Sequence, residues 1–223
     1  LKSAHNNEPE IQFEKLREFF SKVKFPVHFL DYETYSSAVP IIKGMKPYAH
    51  LPIQYSLHIL CDSETSSELT HYEYLAEKAE EPLNLINSLE NVLRPVGTVL
   101  SWHKSFENTR NKEMSASYPE KSEFLESITE RMLDLEEIFK IGYVDIAFGG
   151  STSIKKVLPN LLPELNYDDL EVSSGTDAMV AFAKMLDTDD QKEVSQIRKE
   201  MLDYCRLDTL AMVKIFEKMR ALC

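Results

Sequence analysis

The first residues of this chain that could do chemistry are two carboxylates one residue apart. Asp31-Tyr32-Glu33 ends the apolar run Phe25-Pro26-Val27-His28-Phe29-Leu30. A run this short, with a Val and two Phe, reads as a buried strand. Residues i and i+2 of a strand share a face of the sheet, so Asp31 and Glu33 point the same way. Like charges held that close repel, and at least one pKa must rise unless a cation sits between them. A divalent metal is the usual remedy, and Asp-x-Glu on a strand makes half of a Mg²⁺ site.

The other half is sought further along the chain. The last helical stretch contains Asp203-Tyr204-Cys205-Arg206-Leu207-Asp208-Thr209. Tyr204 and Asp208 are four residues apart and share a helix face. Met201, Cys205, Met212, Val213 and Phe216 form the neighbouring apolar stripe, which places the pair at the edge of the buried face, aimed at the sheet. A third piece, Trp102-His103-Lys104-Ser105-Phe106-Glu107, lies where a strand gives way to a helix. Ligands of α/β sheets bind just outside strand C-terminal ends, so Glu107, one turn on, faces that edge.

Asp31-x-Glu33, His103-x-x-Phe106-Glu107 and Tyr204-x-x-x-Asp208 together resemble the three motifs of the DEDD exonuclease superfamily, in the order and spacing of its tyrosine subgroup. The segments Phe29 to Thr34 and Pro52 to His58 look closer still to an uncharacterised bacterial domain of that superfamily, which sits at the C-terminal end of longer proteins, often after a nuclease-like region. The resemblance covers roughly residues 25–220. Two positions depart from the pattern: Glu107 stands where Asp is usual and His103 where Asn is usual. The extra methylene of Glu107 moves its oxygens by about a bond length, and roughly 1 Å of misplacement can cost about 10²-fold in rate.

The resemblance implies a ribonuclease-H-like α/β fold and a two-metal mechanism. Asp31, Glu33, Glu107 and Asp208 would hold two Mg²⁺ or Mn²⁺ ions, hard cations suited to oxygen ligands. The ions, about 3.5–4 Å apart, would clamp the scissile phosphate, one delivering hydroxide and the other stabilising the leaving 3′ oxygen. Tyr204 would orient the attacking water, since a phenol of pKa about 10 is a poor base at neutral pH. The implied reaction is 3′→5′ removal of nucleoside monophosphates from single-stranded DNA or RNA. Lys155, Lys156 and His103 are the substrate-binding candidates, although Lys155/Lys156 read first as a solvated helix face. Trp102, Phe106 and the Tyr48 loop could stack bases, although the two former read first as core. Asp134 reads as a strand-end cap, His58 as a satisfied histidine and the cysteines as inert. Two other functions fit the same residues: a catalytically weak nucleic-acid-binding module serving a neighbouring domain, and a small-nucleotide phosphoesterase.

The elements that must position these residues follow from periodicity. A lead-in and an amphipathic helix over Glu10 to Val23 make up residues 1–24, and the catalytic domain spans 25–223. Strands are expected at about 26–32, 53–61 and 68–75, the first two joined by a Pro- and Gly-bearing loop over 34–52. A helix from Pro82 to Leu93 leads into a strand at 98–102, which reads as a parallel crossover. Helical sequence over 105–131 breaks near Pro119, and a fifth strand is expected at 131–135. Gly149-Gly150-Ser151-Thr152-Ser153 opens a helix near Ile154, and helices over 174–187 and 189–220 follow. The result is one mixed five-stranded sheet, an antiparallel meander then parallel strands, flanked by helices.

The chain has 223 residues, a formal net charge of −12 and three cysteines, Cys61, Cys205 and Cys223. An odd, unpatterned cysteine count disfavours a disulfide framework and fits a reducing cytoplasm. The acidic balance excludes bulk, non-specific grip on nucleic acid. No apolar run approaches the roughly 18 residues of a membrane helix, and the first ten residues do not form a signal peptide.

Overall fold

The computed structural model describes residues 8–62, 68–168 and 170–223, so most of the lead-in expected before Glu10 lies outside the described residues. Strand β1 is Glu10–Ile11, followed by helix α1, Phe13–Ser21. The antiparallel meander is β2 (Val27–Tyr35), β3 (Leu51–Leu60) and β4 (Leu69–Leu75). Helix α2 (Leu83–Val92) crosses to β5 (Thr98–Ser101), which pairs parallel with β2. Helices α3 (Ser105–Ser117) and α4 (Ser122–Glu130), separated by a short turn at Pro119–Lys121, lead to β6 (Met132–Asp134), parallel to β5. After β7 (Tyr143–Val144) come α5 (Ile154–Leu161), α6 (Gly175–Asp187) and the long α7 (Gln191–Arg220). The main sheet has the order β4-β3-β2-β5-β6. This mixed five-stranded sheet flanked by helices is consistent with a ribonuclease-H-like layout.

The alternation of β2 explains where its carboxylates go. Val27 and Phe29 belong to one core, shared with Met212, Val213 and Phe216 of α7. Leu30 and Tyr32 belong to a second, shared with Leu85, Ile86 and Leu89 of α2 and Met114 of α3. Both faces of the strand are therefore covered, and Asp31 and Glu33 continue the row of Val27 and Phe29 toward α7. Helix α7 starts on an Asp190 cap, whose side chain accepts from Lys192 N, and α6 on a Ser174 cap, which accepts from Asp177 N.

Two expectations are corrected. The helix expected from Glu10 begins at Phe13, because Glu10 and Ile11 pair antiparallel with Val144 and Tyr143 and Gln12 N donates to Gly142 O at 2.8 Å. The loop expected over 34–52 is shorter at both ends, since Thr34 and Tyr35 extend β2 and Leu51 and Pro52 open β3. The register shifts between Glu33 and Thr34, and Pro52 pairs at that irregularity, where a missing N–H is tolerated. Among the described residues no helix is long and apolar enough to cross a membrane.

Candidate metal centre

Asp31 and Glu33 on β2 and Asp208 on α7 each offer a carboxylate oxygen, and these oxygens lie within 4.8 Å of one another. Strand β3 sets the distance between strand and helix. Glu33 is paired with Gln54, whose Nε2 donates to Met201 O at 2.9 Å. Asp31 is paired with Ser56, whose hydroxyl lies 2.7 Å from Thr209 Oγ1, and His58 Nδ1 lies 2.8 Å from the same hydroxyl. Met201 and Thr209 flank Tyr204 and Asp208 along α7, so these buried polar bonds hold the helix in one register over the strand. His58 is thereby a satisfied histidine.

The three carboxyls stand largely out of water, Glu33 and Asp208 at 8% exposure and Asp31 half-buried. Burial pushes Asp31 well above the usual carboxylate range and the charge of Asp208 adds to it, against smaller opposing effects of the Cys205 thiol and Lys155. Glu33 is likewise raised, by burial first and then by Asp31 and Asp208. Asp208 is raised to about 6 by burial, with hydrogen bonds from Tyr167 and Tyr204 and the charge of Lys155 pulling the other way. Tyr167 Oη donates to Asp208 Oδ1 at 2.6 Å. The Cys205 thiol, expected to be inert, donates to Asp31 Oδ2 at 3.4 Å and is fully buried.

Glu107, on the first turn of α3, is 2% exposed, and its Oε2 is buried without a hydrogen-bond partner. Burial raises its pKa, and the charge of Asp31 is the next contribution. The three-carboxylate group does not include it. The fourth expected ligand thus faces the centre electrostatically but stands a step outside the close cluster.

Tyr204 is buried, and burial followed by the charges of Asp208, Glu33 and Asp31 pushes its phenol strongly upward. Lys155 Nζ donates to Tyr204 Oη at 3.1 Å and to Ser173 O, and lies 5.0 Å and 5.5 Å from the Tyr204 and Tyr167 ring centres. Lys155 is therefore not on a solvated helix face: it is the ammonium set against the carboxylates. Lys156 is exposed.

His103 is turned elsewhere. Its backbone is left-handed (φ 66), its N–H donates to Asp134 Oδ1 at 2.9 Å, and its Nδ1 donates to Glu136 Oε2 at 3.0 Å. Asp134 also accepts from Glu136 N at 3.1 Å, which makes it the strand-end cap. Trp102 stacks on Phe139 and donates to Thr152 O at 3.0 Å, so it serves packing. Phe106 is half-buried under the Arg110 guanidinium, and Tyr48 is exposed. Sequence reasoning missed Tyr167 and the contact of Cys205 with Asp31. Tyr167 lies in an aperiodic connection between α5 and α6, where no local signal marks it.

The profile of a family described as "Domain of unknown function (DUF2779)" matches residues 28–153. The chain is similar to the Uncharacterized protein MG366 homolog of Mycoplasma pneumoniae, 28% identical over 221 residues. That alignment covers 90% of this chain and 33% of the relative. It is similar to the Uncharacterized protein MG366 of Mycoplasma genitalium to the same degree, 28% over 220 residues, again covering 90% of this chain and 33% of the relative. The chain thus spans about a third of the length of these curated relatives. No solved structure matches.

Proposed function

The chain belongs to the DUF2779 family, and from that premise we propose that it is a divalent-metal-dependent nuclease of the DEDD exonuclease type, removing nucleoside monophosphates 3′→5′ from single-stranded DNA or RNA. One observation carries the reading: three carboxylates from a strand and a distant helix converge within 4.8 Å in a largely buried position. Such an arrangement costs stability unless a cation shares it. Lys155 is the nearby ammonium, and its hydrogen bonds go to Tyr204 and Ser173. The unpartnered buried oxygen of Glu107 supports the same reading. An all-oxygen donor set suits Mg²⁺ or Mn²⁺.

Asp31, Glu33 and Asp208 would hold the ions, with Glu107 completing the set. When bound, the ions would supply Lewis-acid stabilisation of the phosphate and a water acidified toward neutral pH. The residues of the chain do the rest. Tyr204 stays protonated through the physiological range, so its phenol orients water by hydrogen bonding and takes no proton. Lys155 fixes that phenol and offsets part of the negative charge. Tyr167 and Cys205 hold the Asp208 and Asp31 carboxylates in place. A reducing, cytoplasmic setting and a nuclease-like region elsewhere in the full-length protein belong to the same proposal.

The test is to incubate the protein with end-labelled single-stranded DNA and RNA in Mn²⁺. A ladder of progressively shorter products, absent with Asp31→Asn, is expected. Strand binding without shortening would select the second reading, a binding module with a weak site, which the position of Glu107 outside the close cluster favours.

A further inference from the structure

A cleft of about 610 Å³ adjoins the candidate centre. Its shared wall is Lys155 and Tyr167, the two side chains that reach Tyr204 and Asp208 from outside. Helix α5 contributes Lys156 and Pro159, and the connection to α6 contributes Asn166 and Leu170. The volume lies within the roughly 300–1,000 Å³ of small-molecule sites. The chemistry is mixed in a particular way: an ammonium, an apolar surface and an amide sit together, next to the carboxylates.

The two lysines are not equivalent. Lys155 is half-buried, and its hydrogen bonds go to Ser173 and Tyr204. Lys156 is exposed, and its ammonium makes no hydrogen bond or ion pair within the described residues. In a chain of net charge −12, a polyanion must be gripped locally. An uncommitted ammonium beside an apolar wall, next to a group of carboxylates that would process a phosphodiester, fits a nucleotide unit. Lys156 on the wall would meet a phosphate, Pro159 and Leu170 offer a surface for a base, and Asn166 and Asp168 line the same cleft with groups that could bond sugar or base.

We infer that this cleft seats the nucleotide next to the reacting phosphate of a single-stranded nucleic acid, with Lys156 on its phosphate. The inference rests on the nuclease reading and deepens it by naming where the strand sits and which lysine holds it.

The experiment measures salt-dependent binding of a fluorescent single strand, protected from hydrolysis by phosphorothioate linkages, to the protein in Mn²⁺. Wild type, Lys156→Ala and the remote control Lys78→Ala are compared. Loss of one phosphate contact on a single strand lowers the slope of log K against log salt by about 0.7. Lys156→Ala is expected to show that change, together with weaker binding of the strand, while Lys78→Ala keeps the wild-type slope. An unchanged slope for Lys156→Ala, or an equal change for Lys78→Ala, overturns the inference. Wild-type binding of a nucleoside 5′-monophosphate as tight as that of the strand also overturns it. A separate assay on the unprotected strand reports the nuclease reading. Shortening with no slope change sinks the cleft alone, and a slope change with no shortening sinks the catalytic reading and keeps the cleft as a strand-binding site.

Discussion

Two acidic groups stand toward the C-terminal ends of the parallel strands, and they handle their charge in opposite ways. Asp134 and Glu136, at the end of β6, are answered from within the protein. Asp134 accepts two backbone N–H groups, and Glu136 accepts from Lys140, Thr152 and His103. Burial pushes Glu136 upward, but those hydrogen bonds outweigh it and its pKa ends below the usual carboxylate value. Asp31, Glu33 and Glu107 stand nearby with fewer donors, a single thiol on Asp31 and none on Glu107 Oε2, and theirs rise. The same residue types are structural where donors surround them, and in the other group are left with charge that a ligand can answer. A group whose charge is settled internally contributes stability, whereas one left unsettled costs stability and offers affinity.

The largest way to break the contrast is to remove a ligand. Asp31→Asn is expected to lower turnover of a single strand by more than about 100-fold, beyond the cost of losing a supporting outer residue. Its Mn²⁺ affinity falls in parallel, read by calorimetry.

Metal-free protein tests the electrostatics next. The folded pKa of Asp208, about 6, lies above the unfolded carboxylate value. Its contribution to stability is therefore fully present below about pH 4 and lost as pH rises through about 6, a loss of up to about 3 kcal/mol. Melting curves in EDTA should decline over that window, and Mn²⁺ should restore more stability at about pH 7.5 than at about pH 5. A flat profile would show that the carboxylates are not strained.

The partnered group should respond in the reverse sense. Glu136→Gln is expected to destabilise the fold by about 1–3 kcal/mol, since it weakens charge-assisted bonds from three donors. Mn²⁺ affinity stays at the wild-type value. Equal loss of metal affinity would dissolve the distinction between the groups. The smallest effect expected is that of Tyr167→Phe. It removes one hydroxyl that orients Asp208 and should weaken Mn²⁺ binding about tenfold, the low end for residues supporting a ligand.

One side of this contrast was legible in local sequence, whereas Glu136 and its donors were not. Strand alternation already placed Asp31 and Glu33 on one face, and the four-residue spacing of Tyr204 and Asp208 placed them one turn apart. The mixed character of the sheet, an antiparallel meander and then parallel strands, was readable from the short joins and the helical crossover. What local pattern could not carry was long-range pairing. The two-residue contact of Glu10–Ile11 with Tyr143–Val144 exists because distant segments meet, so the helix start was misplaced. Pro52 reads as a loop residue until the register shift opposite it is seen. Lys155 and Lys156 are neighbours with the same sequence-level reading, yet one is folded against Tyr204 and the other is exposed. His103 matched a motif position by count, but its left-handed backbone and Glu136 take it to the partnered group.

The central claim is that the carboxylates of Asp31, Glu33 and Asp208 are a metal centre. Calorimetric titration of the metal-free protein with Mn²⁺ at about pH 7.5, for wild type, Asp208→Asn and Glu136→Gln, tests it most directly. The account predicts about two ions bound per chain by wild type and by Glu136→Gln, with that binding lost in Asp208→Asn. No saturable binding by wild type, or binding that Asp208→Asn leaves intact, would contradict it.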